Sequence, residues 1–256
     1  MKISGSGTVG SNYYNEEIHI SGSCTLEGNI KCKGIHASGT VNGTGRIESS
    51  GETKISGSGH ISGELVTNTL NVSGSFSSNK LEVNDTAKIS GTSRISGDMY
   101  ALMLRASGSV YVGGSLKCAD AEISGSLECT GDVNSERLSV SGHVDIKGLL
   151  NSEYTNIRLG HRIYRNSINS IGGTTVEIER YDDSVSPFSV FHKDRFSKIV
   201  VVDCIEGDEI YLENTECPLV VGKNVTVGEG CVIGKVQYSG TYNTKGDADV
   251  GAVERI

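Results

Sequence analysis

Tryptophan is absent from this 256-residue chain, proline occurs twice, phenylalanine four times, and aromatic residues make up only 5%. A core built on large rings is excluded, and so are collagen and a proline-rich linker. No apolar run approaches the roughly 18 residues a membrane-spanning helix needs. The start of the chain, Met1-Lys2-Ile3-Ser4-Gly5, lacks the apolar stretch of a secretory signal, so the expected location is the cytoplasm. Positive charge is in deficit: 23 Lys and Arg stand against 31 Asp and Glu, a formal charge of −8. That balance speaks against nucleic acid as a partner. The seven cysteines include no CxxC pair, and Cys24, Cys129 and Cys231 occupy aliphatic positions of the pattern described next. They read as small buried hydrophobes and not as a disulfide frame.

What the chain does have is glycine, 34 of them, set among Ser, Thr, Asn, Ile, Val and Leu. One phrase recurs: an aliphatic residue or Ala, then Ser, then Gly. It begins at Ile3, Ile20, Ala37, Ile55, Val72, Ile89, Ala106, Ile123 and Val140, each start at i+17 from the last except for one at i+18. Nine copies at a fixed period are an internal repeat. The extra residue falls in Glu48-Ser49-Ser50-Gly51-Glu52. Within each repeat the apolar residues come as i, i+2 pairs, such as Leu70/Val72 and Val110/Val112, which is strand alternation. Turn residues follow each pair. Three short strands and three turns in one such period make one coil of a parallel β-solenoid. Stacked coils bring equivalent residues of successive repeats to about 4.8 Å from one another and join the aliphatic columns into one core. The Ser-Gly columns read as a corner where glycine supplies unusual backbone torsions.

The phrase changes after Val140, giving an N-terminal solenoid of about nine coils over residues 1–157. Residues 158–198 form a connecting segment. In it, Asn169-Ser170-Ile171-Gly172-Gly173 reads as a hairpin turn, and Pro187 to Phe196 as a short amphipathic piece. From 199 to 238 the solenoid resumes, on the 17-residue spacings Cys204/Val221/Tyr238 and Ile210/Val227. Residues 239–256 are a polar tail expected to fray.

This layout resembles the bactofilins, the polymer-forming cytoskeletal proteins of bacteria, in a longer two-part version. The repeated (Ile/Val/Ala)-Ser-Gly phrase through Gly142 carries the resemblance, together with the run from Cys204 to Thr215 and on through Val221-Gly222 to Ile233-Gly234. The C-terminal run reads as the more specific of the two. The resemblance implies a right-handed parallel β-helix that assembles into filaments without nucleotide. Some members hold to membrane through a short apolar N-terminal peptide, which Met1-Lys2-Ile3-Ser4-Gly5 does not match.

Other chemistries find less support in the residues. Gly5-Ser6-Gly7-Thr8-Val9-Gly10 matches GxGxxG, but without a following helix or a suitably placed acid it is one more copy of the repeat. The six-residue phrase Val221-Gly222, Val227-Gly228, Ile233-Gly234 is like that of the trimeric hexapeptide acyltransferases, the main enzymatic rival, yet no histidine lies near it. A monomeric β-helix module that binds another protein is the third reading. The six histidines lack metal-ligand spacing, and Asp203, Glu206, Asp208 and Glu209 read as a solvated turn. The expectation is therefore a non-enzymatic, self-assembling scaffold without catalytic residues, metal or cofactor. Its partner is itself, with room for other cytoskeletal or cell-envelope proteins. Ile3, Val9, Ile18 and Ile20 are the candidates for one self-contact, and Val227 and Ile233 for the other. Phe188, Phe191 and Phe196 are candidates for a partner or membrane-surface contact.

Overall fold

The computed structural model describes residues 1–159, 166–180 and 200–256, and every element in them is a β-strand. The chain forms two compact units, Met1–Asn134 and Ser135–Ile256.

In the first unit the repeat becomes a parallel ladder. Lys2–Ile3 pairs with Glu17–Ile20, which pairs with Gly34–Ala37, each step one repeat along the chain. Ser6–Val9, Ser23–Leu26 and Thr40–Gly43 stack in the same way on the next side of the coil. The phrase residues Ile89, Ala106 and Ile123 are immediate ladder neighbours. Their column, with Ile20, Ala37, Ile55 and Val72, is at most 2% exposed. Each of these side chains is closed off by its copy above and below, so burial comes from stacking and not from any single coil. The ladder gains its extra residue between Ser49 and Thr53, inside the stretch expected to hold it: Cys32 pairs with Ser49, but Ile35 pairs with Thr53. The buried Thr67 hydroxyl holds this bulge. It lies 3.0 Å from the Gly51 carbonyl oxygen and 3.0 Å from the Thr53 hydroxyl.

The Ser-Gly corner is built differently from the expectation. Gly28, Gly230 and Gly246 are the glycines with left-handed φ, and no corner glycine is among them. What the corner needs is space. The Ser73 N–H donates to Ile55 (2.9 Å) and the Ser75 N–H to Gly57 (3.0 Å), so the ladder runs straight through the bend. A Cβ on Gly74 would lie closer than 3.0 Å to the carbonyl oxygens of both Gly57 and Ser56. The same holds at Gly22, Gly39, Gly57, Gly91, Gly108 and Gly125. Glycine recurs because the backbone of the previous coil occupies the place of a side chain.

Outside the ladder, charges pair within and between coils. Arg46 reaches Glu48 (2.8 Å) and Glu64 (2.6 Å), Lys31 reaches Glu48 (2.6 Å) and Lys80 reaches Glu64 (3.0 Å). Exposed pairs of this kind contribute about 0–1 kcal/mol each.

The second unit is also a parallel solenoid, and here the structure departs from the expectation three times. Asn169–Gly173 makes no hairpin. It lies inside the strand Asn166–Arg180, which pairs in parallel with His143–Leu159 and with Val200–Leu212. Its inward residues Ile168, Ile171, Val176 and Ile178 are buried, so the aliphatic spacing makes another coil. The 17-residue register is also displaced. Cys204 pairs with Leu219 and Ile210 with Val225, a step of 15, because the two residues Glu213 and Asn214 suffice to join Leu212 to Thr215. Asn214 makes that sharp turn with φ of 47°, and Gly230 and Gly246 take the left-handed conformation in later turns. Lastly, the tail does not fray: Asp249–Arg255 pairs along its length with Val232–Tyr238.

Candidate assembly surfaces

A parallel ladder leaves a row of backbone N–H and C=O groups wherever a coil has a neighbour on one side only. Among the described residues, Lys2–Ile3 and Ser6–Val9 pair only with the coil that follows, and Asp249–Arg255 only with the strand before it. Such rows are templates for another strand.

The interior differs at these two places. In the first coil Val9 is buried and Ile3 half-buried, while Gly7, in register with the buried Cys24, adds no side chain to the interior. In Asp249–Arg255 the column that holds Val220 and Val236 at 0% exposure arrives at Val253, which is 45% exposed. Beside it Tyr242 stands over Val225 and Tyr238 over Gly222, with ring centroids 5.6 Å apart. Both rings are half-buried; Tyr238 is in register with Arg255, while Tyr242 has no partner in Asp249–Arg255.

The candidate contact residues fall in different coils. Ile3 and Val9 lie in the first. Ile18 and Ile20 lie one coil in, buried beneath Ile35 and Ala37. Val227 and Ile233 are buried as well, and each has a further partner, Thr244 and Val250. Phe188, Phe191 and Phe196 lie outside the described residues. Sequence reasoning did not single out Val250, Val253 or Tyr242, and used Tyr238 only as a spacing position; the shortened step at Asn214 moves the register there.

All seven cysteines are free thiols; six are buried and Cys204 is half-buried. Burial pushes Cys32 and Cys231 up to about 11, and Cys118 and Cys217 to about 12. Thiols held protonated are poor nucleophiles. The Tyr211 phenol donates to Glu213 (2.5 Å), and that bond together with burial pushes it up to about 12. His19 and His36 stack at 5.0 Å, with Glu17 Oε2 3.1 and 3.8 Å from their Nε2 atoms. The two histidines sit one repeat apart in the chain, so only the coil brings them together. Among the described residues no group of three or more His, Cys, Asp or Glu is arranged to hold a metal. The segment Gly5–Gly10 contains the strand Ser6–Val9 and not a phosphate-cradling loop. No helix of the described residues is long and apolar enough to cross a membrane.

The chain is similar to the uncharacterized protein YhbF of Bacillus subtilis (strain 168), 43% identical over 91 residues, which is 36% of this chain and 34% of that protein. The match thus spans about a third of the relative's length. No solved structure matches the chain. The model of the bactofilin family, described as polymer-forming cytoskeletal, matches residues 18–117. That match lies on the 17-residue repeat, and the C-terminal run, expected to be the more specific carrier, is outside it. The match to the bactofilin domain thus falls on residues 18–117, whose uninterrupted parallel coils are the structural form of the repeat.

Proposed function

We propose that this protein is a non-enzymatic cytoskeletal scaffold of the bacterial cytoplasm that polymerises by stacking solenoid ends, without nucleotide, metal or cofactor. The observation that carries this reading is the pair of one-sided ladder rows, one of which presents the apolar interior at Val253. Backbone hydrogen bonding supplies the direction of growth, and burial of the exposed valine supplies driving force, about 25 cal/mol per Å² of apolar surface. The polymer-forming description of the matching family supports the same reading. Ile3 and Val9 remain the contact residues at one end. At the other, Val250 and Val253 replace Val227 and Ile233, which a further strand covers. Two different self-contacts produce a filament, whereas one two-fold contact produces a dimer.

Negative-stain electron microscopy of the purified chain without ATP, GTP or divalent metal tests this. Filaments or sheets are expected. A monodisperse monomer across salt and pH overturns it. Val253→Lys is expected to stop growth while the circular dichroism spectrum stays that of a β protein.

A further inference from the structure

On one side of the first unit the outward residues form two columns. The first runs from Lys2, in register with His19, through His36 to Lys54. It continues through Asn71 and Lys88 to Arg105, each in register with the next. Seven successive coils thus carry no acid in this column, in a chain of net charge −8. At about 4.8 Å per rung the run is roughly 29 Å long. Glu122 ends it and holds Arg105 at 3.1 Å. Lys2, Lys54 and Lys88 are exposed and make no ion pair among the described residues. Like charges directly opposite one another on a ladder are destabilising. Elsewhere the unit avoids this: Glu64 takes both Arg46 and Lys80, and Glu48 takes Lys31. Here Lys88 lies directly against Arg105, and His36 against Lys54. A place where local stability is given up for charge of one sign has the character of a functional surface.

The second column, two residues earlier in each strand, holds the acids Glu17, Glu52 and Asp120. A planar anionic bilayer or a nucleic-acid duplex would meet both columns, whose charges largely offset each other. A narrow chain lying along the first column meets cations alone. Bases need ring faces to stack on. The rings in these columns are His19 and His36, and they stack on each other at 5.0 Å. An extended acidic peptide sets its same-side carboxylates about 6.6 Å apart, out of step with rungs of about 4.8 Å. A phosphate chain, charged at every link, has a charge over each rung. Exposed serines run beside the column, Ser56, Ser73, Ser90 and Ser107, with hydroxyls able to donate to phosphate oxygens. We infer that this column is a docking surface for a narrow linear polyanion whose charges are phosphates and which carries no bases. Lys54 and Lys88 are its principal contacts. The acidic remainder of the chain repels such a polymer, so binding is local and sensitive to salt. The contact does not depend on end-stacking.

A binding titration of the full-length chain with long-chain inorganic polyphosphate tests this. Saturable binding is expected, falling at least about tenfold between about 50 and 200 mM salt. Lys54→Gln combined with Lys88→Gln is expected to weaken it at least about tenfold. Lys31→Gln combined with Lys80→Gln removes the same charge elsewhere and is expected to change it less than about twofold. Equal losses from the two pairs, or no binding to the unaltered chain, overturn the inference. Poly-glutamate, vesicles of anionic phospholipid and oligo-uridylate, at equal charge, are expected to bind more weakly. Any of them binding as tightly as polyphosphate overturns it. Stability is a second readout. Lys88→Gln relieves the opposition to Arg105 and is expected not to lower the melting temperature; a fall of many degrees makes Lys88 a structural residue and overturns its role here. Binding is read on monomers and filaments alike. Its absence leaves end-stacking intact, and a chain that never forms filaments leaves this contact intact.

Discussion

Phe76 lies in register between Gly59 of the coil before and Ser93 of the coil after. In the column where other coils carry Cys24, Val41, Val110 and Leu127, the one aromatic ring is flanked by two small residues. A Cβ on Gly59 would already be 3.2 Å from the Phe76 ring and 3.3 Å from Ile55. Volume is therefore balanced along the column and not within each coil. Phe76→Ala is expected to cost about 3–5 kcal/mol through the cavity it leaves. Gly59→Val is expected to be destabilising by overpacking, about 1–3 kcal/mol. Combining Gly59→Ala with Phe76→Leu should recover part of the loss. Urea denaturation of the set measures this.

The corner glycines offer a paired test. Gly91→Ala sets a methyl group against the Gly74 and Ser73 carbonyl oxygens, which are backbone and cannot swing aside. Gly5→Ala meets nothing within 4 Å. The first is expected to lower the melting temperature by many degrees and the second to leave it within a degree or two, on the order of ordinary surface changes. Equal effects would show that backbone torsion, and not space, selects glycine there.

Thr67→Val removes the hydroxyl that lies within hydrogen-bond reach of the Gly51 carbonyl and the Thr53 hydroxyl at the 18-residue coil. With those groups buried and left unpaired, the expected cost is about 1–3 kcal/mol. Thr67→Ser, which keeps the hydroxyl, is expected to cost less. Thermal unfolding followed by circular dichroism separates the two.

The buried thiols make stability fall in alkali. Cys32, Cys118, Cys217 and Cys231 are raised from an ordinary value of 9.0 to between about 11 and about 12 by burial. A group whose folded pKa is raised gives its full contribution below the unfolded pKa and loses it as pH climbs to the folded value. The denaturation midpoint is therefore expected to be level up to about pH 8 and to decline between about pH 9 and 12. Thiol titration of the native chain at pH 8 should find Cys204 alone reacting readily, and all seven after unfolding.

The repeat made the first unit legible because a solenoid is close to one-dimensional. Each coil touches only its neighbours, so a period in the chain is a distance in space, and Ile89, Ala106 and Ile123 had to stack. Even the surplus residue near Ser50 could be located from the residues alone. The second unit was less legible for a local reason. Asn214 entering the left-handed region shortens one turn, and the pairings from Val200 with Thr215 to Leu212 with Val227 step by 15 residues where a 17-residue count was expected. Nothing in the composition of Glu213-Asn214 announces that step. The aliphatic alternation of Ile168, Ile171, Val176 and Ile178 was visible, but alternation fits a hairpin and a coil equally, and only the direction of pairing tells them apart.

Sequence alone was thus sufficient for the architecture: a parallel coil, its period, its aliphatic interior and its glycine corner all follow from which residues recur and how far apart. Tertiary structure decided why the corner glycines are there and which side chains the last strand leaves uncovered. Those facts depend on contacts between residues one or two coils apart, whose identities are independent of one another in the chain and meet only when the coils are laid together.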